Sequence, residues 1–320
     1  MKFYILGAGA IGSIYGAGLR QAGFDVTLII RNAVQLRAIR KNGLSVVYGS
    51  LDEDAPDHFE DIIQIDAHRA ENCEEPADYL FVFTKSTGSE AALESVRHLI
   101  TPDTVLISLQ NGLGNDDILR KFASDEDHLI IGMTTFAVDR VGDRRIHAVG
   151  RGGTTMMTAS GRVTEAAQVL EQVLDAANLE PNLTPEVWKA IWEKVAFNSA
   201  LNTLTAITLL PLGHMGKTAE GKELAHEMVR EVISVARAKG VPADEARVLG
   251  IVDRLMVEHF DHLSSMLQDV LRGRETEIAF INGAVVREAG KLGMRVPVTE
   301  TLYKLMCIYQ QTYEWRMRPE

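Results

Sequence analysis

The sequence has few cysteines and no long hydrophobic run, and both scarcities exclude classes of protein. The 320-residue chain has two cysteines, Cys73 and Cys307, too far apart to suggest a disulfide framework or a metal-binding spacing. No apolar run reaches the roughly 18 residues that a membrane span needs. The N-terminus lacks the pattern of a secretory signal peptide. We therefore expect a cytoplasmic protein that has no metal site and does not cross a membrane.

Positive charge is also scarce. The chain has 33 Lys and Arg residues against 44 Asp and Glu residues, so its formal net charge is -11. Nucleic acids and anionic membranes both require clustered cations on a protein partner. The composition therefore argues against both partners. The composition is still compatible with small acidic ligands, since a local basic pocket can bind them.

The first half of the chain alternates between short buried strands and helices. The predicted strands are 2–6, 26–30, 79–83, 105–109 and 129–131, and the predicted helices between them are 10–22, 88–100 and 115–123. Residues 134–160 are predicted to add strands, some of them antiparallel. This alternation is typical of α/β proteins. It favours a Rossmann-like, doubly wound parallel sheet.

The pattern changes after about residue 185, where strand signals end. Long helices are predicted at 186–208, 222–239, 243–260, 276–292 and 299–315. We predict a nucleotide-binding domain over 1–184, an all-helical domain over 185–320 and a cleft between them. The apolar character of the helical domain is also compatible with a homodimer.

A glycine-rich loop follows the first predicted strand and opens the first helix. Gly7, Ala8, Gly9, Ala10, Ile11 and Gly12 form the pattern Gly-x-Gly-x-x-Gly. In this context, the first glycine permits a tight turn, the second lets the backbone approach a pyrophosphate, and the third lets the helix pack on the strand. The loop therefore predicts a dinucleotide cofactor.

Residues at the carboxyl ends of three strands bear on the choice of cofactor. The second strand ends in Ile30-Arg31-Asn32, without the acid that usually binds the ribose of NAD, and Arg31 could hold the 2′-phosphate of NADP. Lys85 and Asn111 follow two later strands and could contact cofactor or substrate. The structural alternatives are a solvated arginine, a loop lysine and an Asn-Gly turn.

A lysine and two asparagines lie four residues apart in the predicted helix 186–208. Lys194, Asn198 and Asn202 share one face because a helix advances about 100° per residue. Most of their neighbours are apolar, and buried polar groups need partners. We predict that this stripe lines a polar site with Lys194 as the proton-transfer group; a lysine at a helix edge with its amine in water is the alternative.

Two later segments could complete that site. Thr276 is predicted to begin a helix with Glu277 in its first turn, either as a surface acid that suits the helix dipole or as a carboxylate near Lys194. Ser264 and Ser265 precede another helical run. Such hydroxyls cap a helix or, at its N-terminus, bind a substrate carboxylate.

Five motifs, in order over nearly the whole chain, resemble the ketopantoate reductase (2-dehydropantoate 2-reductase) family. They are Gly7-x-Gly9-x-x-Gly12, Asn111-Gly112, Trp192-x-Lys194-x-x-x-Asn198, Ser264-Ser265-Met266-x-Gln268-Asp269 and Thr276-Glu277-Ile278-x-x-Ile281-Asn282-Gly283. The resemblance implies NADPH-dependent reduction of the 2-keto acid 2-dehydropantoate to D-pantoate, in pantothenate biosynthesis. It also implies an N-terminal Rossmann domain and a C-terminal helical domain.

The resemblance also implies roles for individual residues. Lys194 resembles the general acid and Glu277 the acid that holds the substrate hydroxyl. Asn198 and Ser265 resemble substrate contacts, and Arg31 and Lys85 resemble the basic pair near the adenosine phosphate. Asn111 and Asn202 are also expected to contact substrate, as is His262, which departs from the family pattern because some members have Asn at this place.

Two other functions remain open at this point. One is a D-2-hydroxyacid dehydrogenase that acts on another branched or aromatic 2-keto acid. The other is a nucleotide-binding regulator without turnover, in which the Lys194 stripe would be structural.

Overall fold

The computed structural model describes residues 1–315, which divide into two compact units. The first unit contains Met1–Gln110 and Asn115–Val187. The second contains the short segment Asn111–Gly114 and the chain from Trp188 onward. Because 111–114 belongs to the second unit, that unit draws on a segment from within the predicted 1–184 domain.

The first unit alternates short strands and helices. In chain order these are β1 (Lys2–Leu6), α1 (Ala10–Gln21), β2 (Asp25–Ile29), α2 (Ala33–Asn42), β3 (Leu44–Tyr48), β4 (Phe59–Ile63), β5 (Asp66–His68), β6 (Tyr79–Val82), α3 (Ser89–Ser95), β7 (Val105–Ser108), α4 (Asn115–Leu119), β8 (Leu129–Thr134), β9 (Val138–Arg140), β10 (Arg145–Ala148), β11 (Thr154–Thr158), α5 (Glu165–Ala176) and β12 (Pro181–Leu183).

Eight strands form the main sheet, in the order β12-β11-β8-β7-β6-β1-β2-β5. All neighbours are parallel except β8 and β11, which run antiparallel. The order reverses at β1, which lies between β2 and β6, and ligands of open α/β sheets bind where the order reverses. The predicted Rossmann-like parallel sheet is confirmed, as are the added strands in 134–160.

A second, four-stranded sheet has the order β4-β3-β10-β9. Its pairs are antiparallel except β3 with β10. The strand signals recognised in the sequence did not include β3, β4 or β5. Buried residues of this sheet, among them Val46 and Ile146, share a core with the main sheet.

The second unit is helical. Its helices are α6 (Val187–Thr208), α7 (Leu212–Gly216), α8 (Ala219–Ala238), α9 (Glu245–Glu258), α10 (Ser265–Leu271), α11 (Asn282–Lys291) and α12 (Pro297–Gln311). Of the helices formed by residues 1–315, none combines the length and the hydrophobicity of a membrane span. The predicted all-helical C-terminal region is confirmed.

Carboxylates connect the helices of this unit. Glu193 of α6 accepts a hydrogen bond from the Asp244 nitrogen at the start of α9 and pairs with Arg247 at 2.8 Å. Glu231 of α8 accepts the Val298 and Thr299 N–H groups in the first turn of α12. Each carboxylate satisfies backbone donors at a helix start, so it sets how two helices pack.

Candidate active site

The three glycines of the loop between β1 and α1 have different structural roles. Gly7 has a φ of +101°, and a Cβ there would lie 2.7 Å from the Thr84 nitrogen. A Cβ on Gly12 would lie 2.1 Å from the Gly7 oxygen, so α1 needs glycine to pack this close to the turn. A Cβ on Gly9, which is exposed, would meet no protein atom within 4 Å. The open space at the helix N-terminus fits a pyrophosphate.

Two polar side chains of the following segment support this loop. Gln35 is buried and donates from Nε2 to the Ala8 oxygen at 2.5 Å. Asn32 caps α2 by accepting the Val34 and Gln35 N–H groups. Arg31 precedes this cap and is exposed at the carboxyl end of β2. Gln35 was missed in the sequence because no local pattern indicates a contact 27 residues away.

A buried network holds the loop that follows β6, the other strand beside β1. Gln110 donates from Nε2 to the Thr84 oxygen at 2.5 Å and to the Ser89 hydroxyl at 2.8 Å, and its Oε1 accepts from Ser108. Lys85 is exposed within the loop that Gln110 holds. The structure therefore brings Lys85 and the glycine loop to the same edge of the sheet, at the reversal of strand order.

The predicted stripe lies on α6 of the second unit. Asn198 and Asn202 are each 8% exposed, and Lys194 is half-buried. Desolvation lowers the pKa of Lys194 to about 8, while the Glu277 carboxylate acts in the opposite direction and raises it. A lysine of this pKa is mostly protonated at neutral pH and gives up its proton more readily than an exposed one.

Glu277 lies outside a helix, so the predicted helix 276–292 is wrong at its start. α11 begins at Asn282. Glu277 occupies a turn in which its backbone carbonyl oxygen accepts the Phe280 and Ile281 N–H groups. The Thr276 hydroxyl donates to Gln310 Oε1 at 2.7 Å rather than capping α11. Ile278, buried in the helical core, fixes the turn by packing.

The segment 111–114 docks against this same turn. The Leu113 nitrogen donates to the Phe280 oxygen at 2.8 Å. Gly112 has a φ of +89°, and a Cβ there would lie 2.3 Å from the same oxygen, so glycine permits the close approach. The structure therefore brings the Asn111 segment next to the turn that carries Glu277.

The serine pair separates into two roles at the start of α10. Ser264 is buried; its hydroxyl accepts the Leu267 N–H and lies 2.7 Å from the Thr205 hydroxyl of α6. Ser265 is the first helical residue and is exposed. His262 is partly buried, and its carbonyl accepts the Leu212 N–H. Ser264 therefore acts as the cap and Ser265 remains the candidate for substrate contact.

The doubly wound sheet with its glycine loop, together with a helical unit that holds a lysine–carboxylate pair, defines a Rossmann-type oxidoreductase. The model of the ketopantoate reductase PanE/ApbA family matches residues 3–161, and that of its C-terminal region matches residues 186–310. The chain belongs to the ketopantoate reductase PanE/ApbA family.

Relatives match over almost their entire length. The chain is 28% identical over 307 residues to a 2-dehydropantoate 2-reductase of Streptococcus pyogenes serotype M1, covering 96% of this chain and 97% of the relative. It is 31% identical to the 2-dehydropantoate 2-reductase of Archaeoglobus fulgidus, covering 95% of this chain and 96% of that relative.

Several solved structures have a similar fold over almost the whole chain. A D-mandelate dehydrogenase with NADH and anilino(oxo)acetate has a TM-score of 0.91 at 27% identity, covering 98% of this chain and all of that one. A PanE/ApbA family ketopantoate reductase of Ralstonia eutropha JMP134 has a TM-score of 0.87 at 29% identity with the same coverage.

Proposed function

We propose that this protein catalyses the NADPH-dependent reduction of 2-dehydropantoate at its C2 ketone, with Lys194 as the general acid. Membership of the ketopantoate reductase family supports the reaction. The structural observation that carries the assignment of Lys194 is its half-buried side chain on α6 beside the buried Asn198 and Asn202. Burial lowers the pKa of Lys194 to about 8, against the effect of Glu277. Residues 1–184 would bind the cofactor and residues 185–320 the substrate.

Lys194 acts on the oxygen of the ketone. NADPH, when bound, supplies the hydride that reduces the ketone carbon, and negative charge then develops on the oxygen. The Lys194 ammonium stabilises this charge by hydrogen bonding and donates its proton. Glu277 raises the pKa of the amine and so favours its protonated form; its carboxylate would also accept a hydrogen bond from the substrate hydroxyl.

The remaining predicted residues divide between substrate and cofactor. Substrate contacts are assigned to Asn111, Asn198, Asn202, Ser265 and His262. Around the cofactor, the open space at Gly9 and the N-terminus of α1 would accept the pyrophosphate. Arg31 would pair with the 2′-phosphate, Lys85 would lie near it, and Asn111 would approach the nicotinamide end.

The decisive experiment measures cofactor oxidation at 340 nm with 2-dehydropantoate, 2-ketoisovalerate and phenylglyoxylate, each with NADPH and with NADH. We expect 2-dehydropantoate and NADPH to give the highest kcat/KM. Lys194→Ala should lose about 10²–10⁴-fold in kcat, because positioned proton transfer contributes that much, and should still bind NADPH.

Lys189→Ala is the matched control, since Lys189 lies on a different face of α6. Its turnover should equal that of the unchanged protein. Near-normal turnover of Lys194→Ala would remove Lys194 from the mechanism.

A D-2-hydroxyacid dehydrogenase is the second candidate function, and the fold similarity to D-mandelate dehydrogenase favours it. The structure of that neighbour contains NADH and anilino(oxo)acetate. A higher kcat/KM for phenylglyoxylate with NADH than for 2-dehydropantoate with NADPH would favour the D-2-hydroxyacid dehydrogenase over the 2-dehydropantoate reductase.

A further inference from the structure

A second set of buried polar groups lies on a different face of α6 from the Lys194 stripe, and Asn282 is at its centre. Asn282 is fully buried at the start of α11. Its Nδ2 donates to the Ser199 oxygen at 3.2 Å, and its Oδ1 accepts from the Thr203 hydroxyl at 2.9 Å. The two bonds hold one turn of α6. Removing them would leave buried polar groups unsatisfied, which is costly.

This contact connects the two segments that carry Lys194 and Glu277. Lys194 precedes Ser199 by five residues on α6, a rise of about 7.5 Å. Glu277 precedes Asn282 by five residues, in the turn that leads into α11. The Ile278 oxygen accepts the Gly283 N–H at 2.9 Å, so the turn is hydrogen-bonded directly to the start of α11. The contact of Asn282 with α6 therefore connects the start of α11, and with it the turn that carries Glu277, to the helix that carries Lys194.

We propose that Asn282 is a positioning residue that holds Glu277 beside the Lys194 amine by binding the Ser199–Thr203 turn of α6. The proposal rests on the proposed role of Lys194 as proton donor. Hydrogen bonds of this kind give a narrow set of distances. The Thr276–Gln310 and Leu113–Phe280 hydrogen bonds connect the turn to α12 and to segment 111–114, whereas the Asn282 hydrogen bonds connect it to α6. Asn282 thus acts on the reaction through Glu277.

The electrostatic consequence is specific to Lys194. Glu277 is the charged group that raises the pKa of Lys194 against the effect of burial. Glu193, the next charge on α6, is bound to Arg247 and to the Asp244 nitrogen. Displacing Glu277 should therefore lower the pKa of Lys194, whereas a purely structural defect should not.

The test titrates the Lys194 amine directly. The pH dependence of its acylation by a pulse of an amine-reactive reagent is followed by mass spectrometry of the Lys194 peptide. Removing an opposite charge nearby shifts a pKa by about 1–3 pH units, so Glu277→Gln should lower the pKa of Lys194 by about one unit. Asn282→Ala should lower it by about half a unit, and Thr203→Val, which removes one of the two bonds, should lower it less.

A double-mutant cycle separates positioning from general damage. In Glu277→Gln, adding Asn282→Ala should lower the pKa of Lys194 no further, because the charge being positioned is already gone. The matched control is Thr208→Val, since the Thr208 hydroxyl donates only within α6, to the Leu204 oxygen at 2.7 Å. The pKa of Lys194 should be unchanged in that variant.

Two results would overturn the proposal: a lower melting temperature of Asn282→Ala with an unchanged pKa of Lys194, or the same drop in both backgrounds. If Asn282→Ala does not fold, Thr203→Val alone and with Glu277→Gln gives the same comparison. The titration uses no substrate, so a failed keto acid assay with a shifted pKa would contradict the proposed function and leave the positioning role standing.

Discussion

Variants of single glycines in the dinucleotide loop distinguish what folding requires from what cofactor binding requires. A Cβ on Gly9 meets no protein atom within 4 Å, and its φ of -72° and ψ of -164° suit alanine. Gly9→Ala should therefore keep its melting temperature and weaken NADPH binding at least about tenfold, because the methyl group occupies space meant for the pyrophosphate. Thermal unfolding and fluorescence titration with NADPH measure the two effects.

Gly12→Ala and Gly250→Ala are the two comparison variants for Gly9→Ala. The Gly12 Cβ would lie 2.1 Å from the Gly7 oxygen, so that variant should lose both binding and about 1–3 kcal/mol of stability. Gly250 is exposed on α9 with open space around it, so its variant should bind NADPH normally. A destabilised Gly9→Ala, or one that binds NADPH normally, would contradict the assigned role of Gly9.

Residues with a local signature were predictable, and residues without one were not. The glycine loop follows a strand and opens a helix, and Lys194 recurs with two asparagines at helical spacing. Gln35 and Gln110 have no such pattern, since each is defined by a partner distant in sequence. Asn282 belongs to a family motif, but its contact with Ser199 could not be read from that motif. The predicted roles of Arg31, Lys85 and the substrate contacts remain proposals.

At the scale of elements, helix starts depend on partners from other helices. Glu231 of α8 accepts the Val298 and Thr299 N–H groups at 3.0 and 2.8 Å, at the N-terminus of α12. Glu231→Ala should lower stability by about 1–2 kcal/mol, because it removes two hydrogen bonds and a charge that favours the helix dipole. Urea unfolding measures the loss.

Glu223→Ala is the comparison, because Glu223 is exposed on the same helix. Its stability should change by less than about 0.5 kcal/mol. Equal losses in the two variants would mean that helix propensity or net charge explains the effect, and that the contact with α12 does not.

The same dependence explains the misplaced start of α11. Thr276 followed by Glu277 has the residue types of a helix start, yet the Thr276 hydroxyl and nitrogen both bond to Gln310 of α12. That contact draws the segment into a turn, and α11 begins five residues after Glu277. Local propensity is a weak preference that tertiary contacts override.

At the scale of the whole molecule, one lysine should leave a signature in the pH dependence of stability. The pKa of Lys194 falls from 10.5 to about 8 on folding. Between these pH values the unfolded chain binds more protons than the folded chain, so stability rises with pH in that window and the cost of the buried ammonium is fully present below about pH 8. The corresponding free energy is on the order of 3 kcal/mol.

Lys194→Met has no charge to desolvate and provides the comparison. The difference in free energy of unfolding between it and the unchanged protein should shift in favour of the unchanged protein as the pH rises from 7 to 10. Urea titrations at several pH values measure that difference. A difference that stays constant across this range would mean that the amine is not desolvated in the folded state.

Local periodicity determined a large part of this protein. Alternating strands and helices, then helices alone, specified an α/β sheet followed by a helical region, because backbone hydrogen bonding and side-chain direction repeat every few residues. Helical spacing also identified the Lys194 stripe, and a short motif between a strand and a helix identified the glycine loop. Tertiary structure alone decided the second sheet, the turn that carries Glu277 and the contacts of Asn282 with Ser199 and Thr203. Those contacts join residues 83 and 79 positions apart, and no repeat along the chain encodes a pairing at that distance.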